Sequence, residues 1–150
     1  MAEPAMQPAY TLDDCSCLRL RKLARRVTQL YDHALAPCGL STNQFGLLAH
    51  VWFLKNPTIS RLGEQMVMDP STVTRNLRPL VEKGWVRLEV SAADRRQREA
   101  RLSEDGLVML RAGVPYWESA QAQLQEMLGN KAATVLHGAL DDALGRLRPA

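Results

Sequence analysis
Apolar positions recur at three- and four-residue intervals along most of this chain and alternate with polar ones in a single short stretch. The first helical stripe is Leu12, Cys15, Leu18, Leu23, Val27, Leu30, Ala34 and Leu35. It predicts a helix from Thr11 to Ala36, with Arg19, Arg21, Lys22, Arg25 and Arg26 largely off the apolar side. Pro37-Cys38-Gly39 breaks it. Ser41 can cap the next helix, whose core would be Phe45, Leu47, Leu48, Val51, Trp52 and Leu54. A short amphipathic segment from Thr58 then leads through a tight joint, Met68-Asp69-Pro70, into a second helix. Ser103, with Glu104 and Asp105 in the first turn, opens a long helix to about Leu128. After Gly129-Asn130 the last helix, Lys131 to Leu147, repeats Ala132, Val135, Leu136, Ala139, Leu140, Ala143, Leu144 and Leu147 at helical spacing. That stripe is too apolar to stand alone and predicts a partner surface, within the chain or on another copy. Residues 1–10 hold two prolines and few anchors and read as a loose arm.

The helix that begins at Pro70 carries the strongest chemical signal. Asp69 suits the N-cap, because its carboxylate can accept from the free amides of the first turn, and Pro70 stands where a missing N–H costs nothing. Val73, Leu77, Leu80 and Val81 form the inward stripe; Ser71, Thr72, Thr74, Arg75, Asn76 and Arg78 face outward. A solvated face usually mixes Glu and Lys for i,i+4 pairing, whereas this one has no acid between Asp69 and Glu82. Such a face suits nucleic acid. Arginine engages guanine O6 and N7 bidentately, and Ser and Thr reach phosphate oxygens or thymine methyls. Gly84 is a plausible C-cap, after which Trp85-Val86-Arg87-Leu88-Glu89-Val90 alternates as a half-buried strand and Arg98-Glu99-Ala100-Arg101-Leu102 can pair back with it. Between them, Ser91 to Gln97 is too polar for core. The four arginines from Arg95 to Arg101 make a positive prong suited to a narrow minor groove. A basic loop alone would be ordinary solvated surface. Joined to the two helices it completes the order of parts of a winged helix-turn-helix, which points to double-stranded DNA. The candidate contacts are Ser71, Thr72, Thr74, Arg75 and Arg78 on the helix and Arg95, Arg96 and Arg98 in the hairpin.

Composition changes this picture little. The 150 residues suffice for one unit with a good core, and 46% hydrophobic residues with only 5% aromatic ones lean towards helix. A net charge of +3 and a pI near 9.0 are mild, so DNA binding rests on where the arginines lie. There is no run long enough to cross a membrane and no secretory signal pattern, which places the expected protein in the cytoplasm. No Gly-rich phosphate loop, His-Glu-x-x-His, Gly-x-Ser-x-Gly or Cys-x-x-Cys is present, and His33, His50 and His137 sit on different elements. An enzyme, a cofactor and a resident metal are therefore not expected.

The middle of the chain, roughly residues 39 to 106, resembles the MarR-type transcriptional regulators. The matching residues are Leu40-Ser41-Thr42-Asn43-Gln44-Phe45, Ile59-Ser60-Arg61-Leu62-Gly63, Asp69-Pro70-Ser71-Thr72-Val73-Thr74-Arg75, Leu80-Val81-Glu82-Lys83-Gly84-Trp85-Val86, Asp94-Arg95-Arg96 and Leu102-Ser103-Glu104-Asp105-Gly106. The resemblance implies a mainly α fold with a small β-wing: a winged helix-turn-helix lobe over residues 41–102, and dimerisation helices over 11–36 and 103–150 of a single unit. It implies a homodimer on a pseudo-palindromic operator, usually a repressor, and gives Asp94 the role of orienting Arg96 in the minor groove. Two departures stand out. Gly63 replaces a common alanine at a cost of about 1 kcal/mol, which a closely passing backbone would explain. Pro79 falls inside the second helix, removes the bond to the Arg75 carbonyl and should bend the last turn.

Two regulatory chemistries remain open. By the resemblance, an aromatic acid would enter the crevice between the dimerisation helices and the DNA-binding lobe, within reach of Tyr31, His50, Trp52 and Arg19 or Arg25; Trp52 is most simply core. Cys15, Cys17 and Cys38 are most simply small core residues. A thiolate near Arg19, Lys22 or the helix N-terminus could instead oxidise, or hold arsenite or a soft metal with Cys38 or another subunit. On a helix, Cys15 and Cys17 would point about 200° apart and could not bridge. The rival from another class is a thiol-based redox or soft-metal-handling protein that does not bind DNA.

Overall fold
A 3-10 turn at Leu12–Asp14 opens the computed structural model, which describes residues 12–147; the expected arm over residues 1–10 and the expected helix start at Thr11 lie outside the described residues. Helix α1 spans Ser16–Leu35, α2 Thr42–Phe53, α3 Ile59–Met66 and α4 Pro70–Glu82. Strands β1, Val86–Val90, and β2, Arg98–Leu102, form the hairpin, and α5, Glu104–Leu128, and α6, Asn130–Arg146, complete the chain. Cys15 is the N-cap of α1 rather than part of it.

Local chemistry sets these boundaries. At α2, Ser41 Oγ accepts from Gln44 N at 3.2 Å and Gln44 Oε1 accepts from Ser41 N at 3.1 Å, a complete capping box. Thr58 Oγ1 accepts from Arg61 N at 3.2 Å and starts α3. α3 closes on Val67, left-handed at φ 53°, with Met68 N donating to Gly63 O at 2.9 Å. This turn explains Gly63, where a methyl group would stand 2.5 Å from Met68 O. α4 runs unbroken past Pro79 to Glu82, and Gly84 is left-handed at φ 73°. Pro79 is exposed, so water can satisfy the carbonyl its ring leaves without a donor.

Leu40, Phe45, Leu47, Leu48, Val51, Leu62, Val73, Leu77, Leu80, Val86, Ala100 and Leu110 gather into one core beneath the helix-turn-helix. The hairpin pairs antiparallel from Val86 opposite Leu102 to Val90 opposite Arg98. Its outer edge is fastened to the start of α3 by a Thr58–Glu99 bridge and by Ala100 N donating to Pro57 O at 2.9 Å. Ser103 locks the other side: its N–H donates to Trp85 O at 3.0 Å and its hydroxyl to Gly84 O at 2.6 Å. Gly106 admits that approach, since a Cβ there would lie 2.0 Å from Trp85 O.

The outer helices are the least covered. α1 packs along α5, and α6 rests on α5. α1 fully buries only Tyr31 and Leu35, and α6 only Ala133. Val135, Leu144 and Leu147 of the last apolar stripe are 65%, 59% and 79% exposed, and Leu136 and Leu140 are half-buried, so the described residues cover that stripe only in part. Two expected core residues are also open: Trp52 is 49% exposed because α2 turns it towards a cavity, and Val81 is 37% exposed at the edge of a groove.

Candidate nucleic-acid interface and adjoining cavity
Asp69 organises the start of α4. It accepts from Thr72 N at 2.9 Å and from Thr72 Oγ1 at 2.7 Å, and Ser71 Oγ donates to it as well. These bonds, the Ser71 hydroxyl first, hold its carboxyl well below the usual carboxylate range. Thr74 Oγ1 donates to Pro70 O at 2.9 Å. The hydroxyl hydrogens expected to meet phosphates are thus committed within the helix, and the extended donors of this face are its arginines. Arg75 reaches only Thr72 Oγ1, at 3.4 Å, and Arg78 pairs with Glu82 at 2.8 Å where both side chains are exposed. Exposed pairs contribute about 0–1 kcal/mol, so Arg78 can exchange its partner at little cost.

The wing tip is built on Asp94. Its Oδ1 accepts from Arg96 N at 3.0 Å and Arg96 Nε at 3.3 Å, and its Oδ2 from Gln97 Nε2 at 3.3 Å. The Arg96 amide is the largest of the influences that lower the Asp94 carboxyl. The guanidinium of Arg96 stays in water, with its side chain 91% exposed. Arg95 and Arg98 are exposed at the same tip. Arg101 is different: it pairs with Glu89 at 2.9 Å and Glu99 at 3.1 Å, which removes it from the prong. Glu99 also accepts from Ser91 Oγ at 2.7 Å, and that bond leads in lowering its carboxyl. Ser71, Thr74, Arg75 and Arg78 of α4 share one groove of about 640 Å³ with Leu88 of β1, so helix face and wing border a common channel.

A second concavity lies between α1, α2 and α5. It encloses about 510 Å³ and is lined by Tyr31, Thr42, Phe45, Gly46, Ala49, His50, Trp52, Phe53, Leu107, Leu110, Arg111, Val114 and Trp117. Phe45 and Trp117 stack at 6.2 Å with a 21° interplanar angle. Burial raises the pKa of Tyr31, whose hydroxyl donates to Gln121 Oε1. Tyr31, His50 and Trp52 thus meet at one cavity; Arg19 is not part of its wall, and the cation there is Arg111. Arg111 could have been found from its register with Leu107, Leu110 and Val114 on one face of α5.

The cysteines do not converge. All three are free, with Cys17 exposed and Cys15 and Cys38 half-buried. The length of α1 separates Cys15 and Cys17 from Cys38 by about 30 Å at 1.5 Å per residue, so Cys38 stands outside any site the other two form in one chain. Cys38 Sγ donates to Leu35 O at 3.0 Å, as a small packed residue does. Because Cys15 lies outside the helix, helical spacing does not fix its direction relative to Cys17. Among the described residues no group of three or more His, Cys, Asp or Glu could hold a metal ion.

The profile of the MarR family matches residues 40–97, the stretch that holds α2, α3, α4 and most of the wing. A structure of the Mycobacterium tuberculosis transcriptional regulator MosR in complex with DNA superposes with a TM-score of 0.76 and 30% identity, covering 90% of this chain and 100% of that one. The organic hydroperoxide resistance transcriptional regulator of Bacillus subtilis is 26% identical over 98 residues, 65% of this chain and 67% of that protein. A probable transcriptional regulator from Pseudomonas aeruginosa shares the fold, with a TM-score of 0.80 at 23% identity over 89% of this chain and 99% of its own. With the helix-turn-helix, the Asp94-centred wing and a likeness that spans the whole MosR chain, this chain belongs to the MarR family of transcriptional regulators.

Proposed function
We propose that this protein is a homodimeric, sequence-specific double-stranded DNA-binding regulator that represses from a pseudo-palindromic operator and is released by a small effector. The observation that carries the reading is the shared groove: the arginine face of α4 and strand β1 border one channel, with Arg95, Arg96 and Arg98 exposed at the wing beyond it. In this reading Arg75 and Arg78 meet base edges and phosphates in the major groove, with Ser71, Thr72 and Thr74 beside them. Arg96, oriented by Asp94, enters the minor groove, and Arg95 and Arg98 contact the backbone. MosR, similar over its whole length, has been seen with DNA, which supports the same partner here.

Residues 41–102 act as the DNA-binding lobe, and residues 11–36 and 103–150 join two copies. The uncovered stripe of α6 supports that pairing, because an apolar face of this length is stabilised only when a partner excludes water from it. The effector enters the cavity of Tyr31, His50 and Trp52, between the helices that would dimerise and the lobe that would bind DNA. Oxidation of Cys17, the exposed thiol, is a second route of release. No helix among the described residues is long and apolar enough to cross a membrane, in keeping with action at cytoplasmic DNA. A gel shift with the DNA upstream of the protein's own gene, against excess nonspecific DNA, tests the reading. A retained complex supports it; equal competition by nonspecific DNA contradicts it.

A further inference from the structure
Asp94 holds Arg96 at the wing tip, but Asp94 itself rides on that tip, so it aims the guanidinium only as well as residues 91–97 are fixed to the body. The base of the hairpin is fastened, because Thr58 bridges to Glu99 and Ala100 N donates to Pro57 O. Among the described residues no backbone bond from another element reaches the hairpin between Val90 and Arg98. A two-stranded ribbon left to itself is marginal in water.

Ser91 meets that weakness. At 3% exposed, it is more buried than any other described serine, threonine, amide or charged residue. Its N–H donates to Gln97 O at 2.9 Å, its hydroxyl donates to Glu99 Oε1 at 2.7 Å, and the same Oγ accepts from Ala93 N at 3.3 Å. One residue thus ties the start of the tip, its end and the fastened strand. Gln97 N donates onward to Asp94 O at 2.9 Å, which carries the connection to the residue that orients Arg96.

Glu99 is the anchor of this tie. It stands directly opposite Glu89, a like-charge pairing that destabilises a sheet, and Arg101 pairs with both carboxylates. Carboxylates also repel phosphate, so on charge alone a hairpin that meets DNA is better without them. The Glu99 side chain is only 17% exposed and is engaged by Ser91 and Arg101.

We infer that Ser91 and Glu99 are positioning residues for DNA recognition: their hydrogen bond braces the wing tip so that Arg96 meets the minor groove already oriented. Neither residue contacts DNA; both act through Arg96, by reducing the freedom it loses on binding. The inference rests on the reading of the wing as a DNA contact.

Substitutions at Glu99 separate position from charge. Glu99→Ala and Glu99→Gln remove the same negative charge, but only glutamine keeps an acceptor for the Ser91 hydroxyl. In quantitative gel shifts on the fragment upstream of the protein's own gene, Glu99→Ala and Ser91→Ala bind about 10-fold or more weakly than wild type, and Glu99→Gln stays within about 3-fold of it. In an Arg96→Ala background, Glu99→Ala weakens binding by less than about 3-fold, since the arginine it positions is gone. Amide hydrogen exchange without DNA shows Arg96 and Gln97 exchanging about 5-fold or more faster in Glu99→Ala and Ser91→Ala than in wild type, with Leu77 and Leu80 of the core unchanged. Indistinguishable affinities of the two Glu99 variants, a full loss that persists without Arg96, or unchanged exchange at Arg96 and Gln97 each overturns the inference. A wild-type protein that does not retain the fragment contradicts the DNA reading, and the inference falls with it; retention by wild type and equally by Ser91→Ala overturns the brace alone.

Discussion
Arg75 and Arg96 bear the same charge, and in the proposed complex they face different features of a duplex. Arg75 projects from the second turn of α4, where a bidentate contact to guanine discriminates bases. Arg75→Ala therefore loses about 1–3 kcal/mol per half-site and relaxes sequence preference. Arg96 is held at the wing by Asp94 and in the proposed complex would respond to groove width, so Arg96→Ala is expected to weaken binding more evenly and leave base preference in place. Competition titrations over a panel of operator variants distinguish the profiles; identical profiles would contradict the assignment of helix and wing. Gly63 tests the joint instead. A methyl group 2.5 Å from Met68 O must move backbone, so Gly63→Ala lowers stability by about 1–3 kcal/mol in denaturant titration despite its better helix propensity. A stabilised variant would show that the α3–α4 turn relaxes freely.

At the scale of elements, two caps depend on charge. Asp69 and Asp94 have carboxyls lowered from 3.8 by the hydrogen bonds they accept, so the folded protein binds protons less readily there than the unfolded chain. Their contribution is complete above the unfolded value and is lost as pH falls through the folded one. The melting temperature accordingly drops as pH is lowered from about 5 towards 2, and Asp69→Asn, which keeps an acceptor but no charge, shows a shallower drop. An unchanged slope would mean that Asp69 does not act through ionisation. These caps, with Ser41, Thr58 and Ser103, are also why the inner elements were legible in the sequence: each boundary is written in side chains a few residues from the backbone groups they satisfy. The start of α1 was less so, because no side chain caps it and its apolar stripe runs on through Cys15. The cavity was half legible. Tyr31, His50 and Trp52 line one cavity, but Gly46 and Arg111 reach its wall through tertiary placement, which periodicity does not register.

For the whole molecule, the open apolar stripe on α6 sets the expectation. In the proposed dimer two copies bury Val135, Leu144 and Leu147 against each other, and a two-fold regulator of this kind is expected to set its two α4 helices about one helical turn of DNA apart. Val135→Glu with Leu144→Glu then yields monomers by sedimentation and loses operator binding, with helical content kept. A folded double variant that remains dimeric would move the interface elsewhere. The most direct measurement on the DNA reading is the salt dependence of operator affinity. Binding measured from about 50 to 200 mM potassium chloride falls with a log–log slope near −0.9 per phosphate neutralised. Arg75, Arg78, Arg95, Arg96 and Arg98 in two copies predict a slope between about −4 and −9. A flat dependence, with affinity unchanged across that range, would contradict recognition through these arginines.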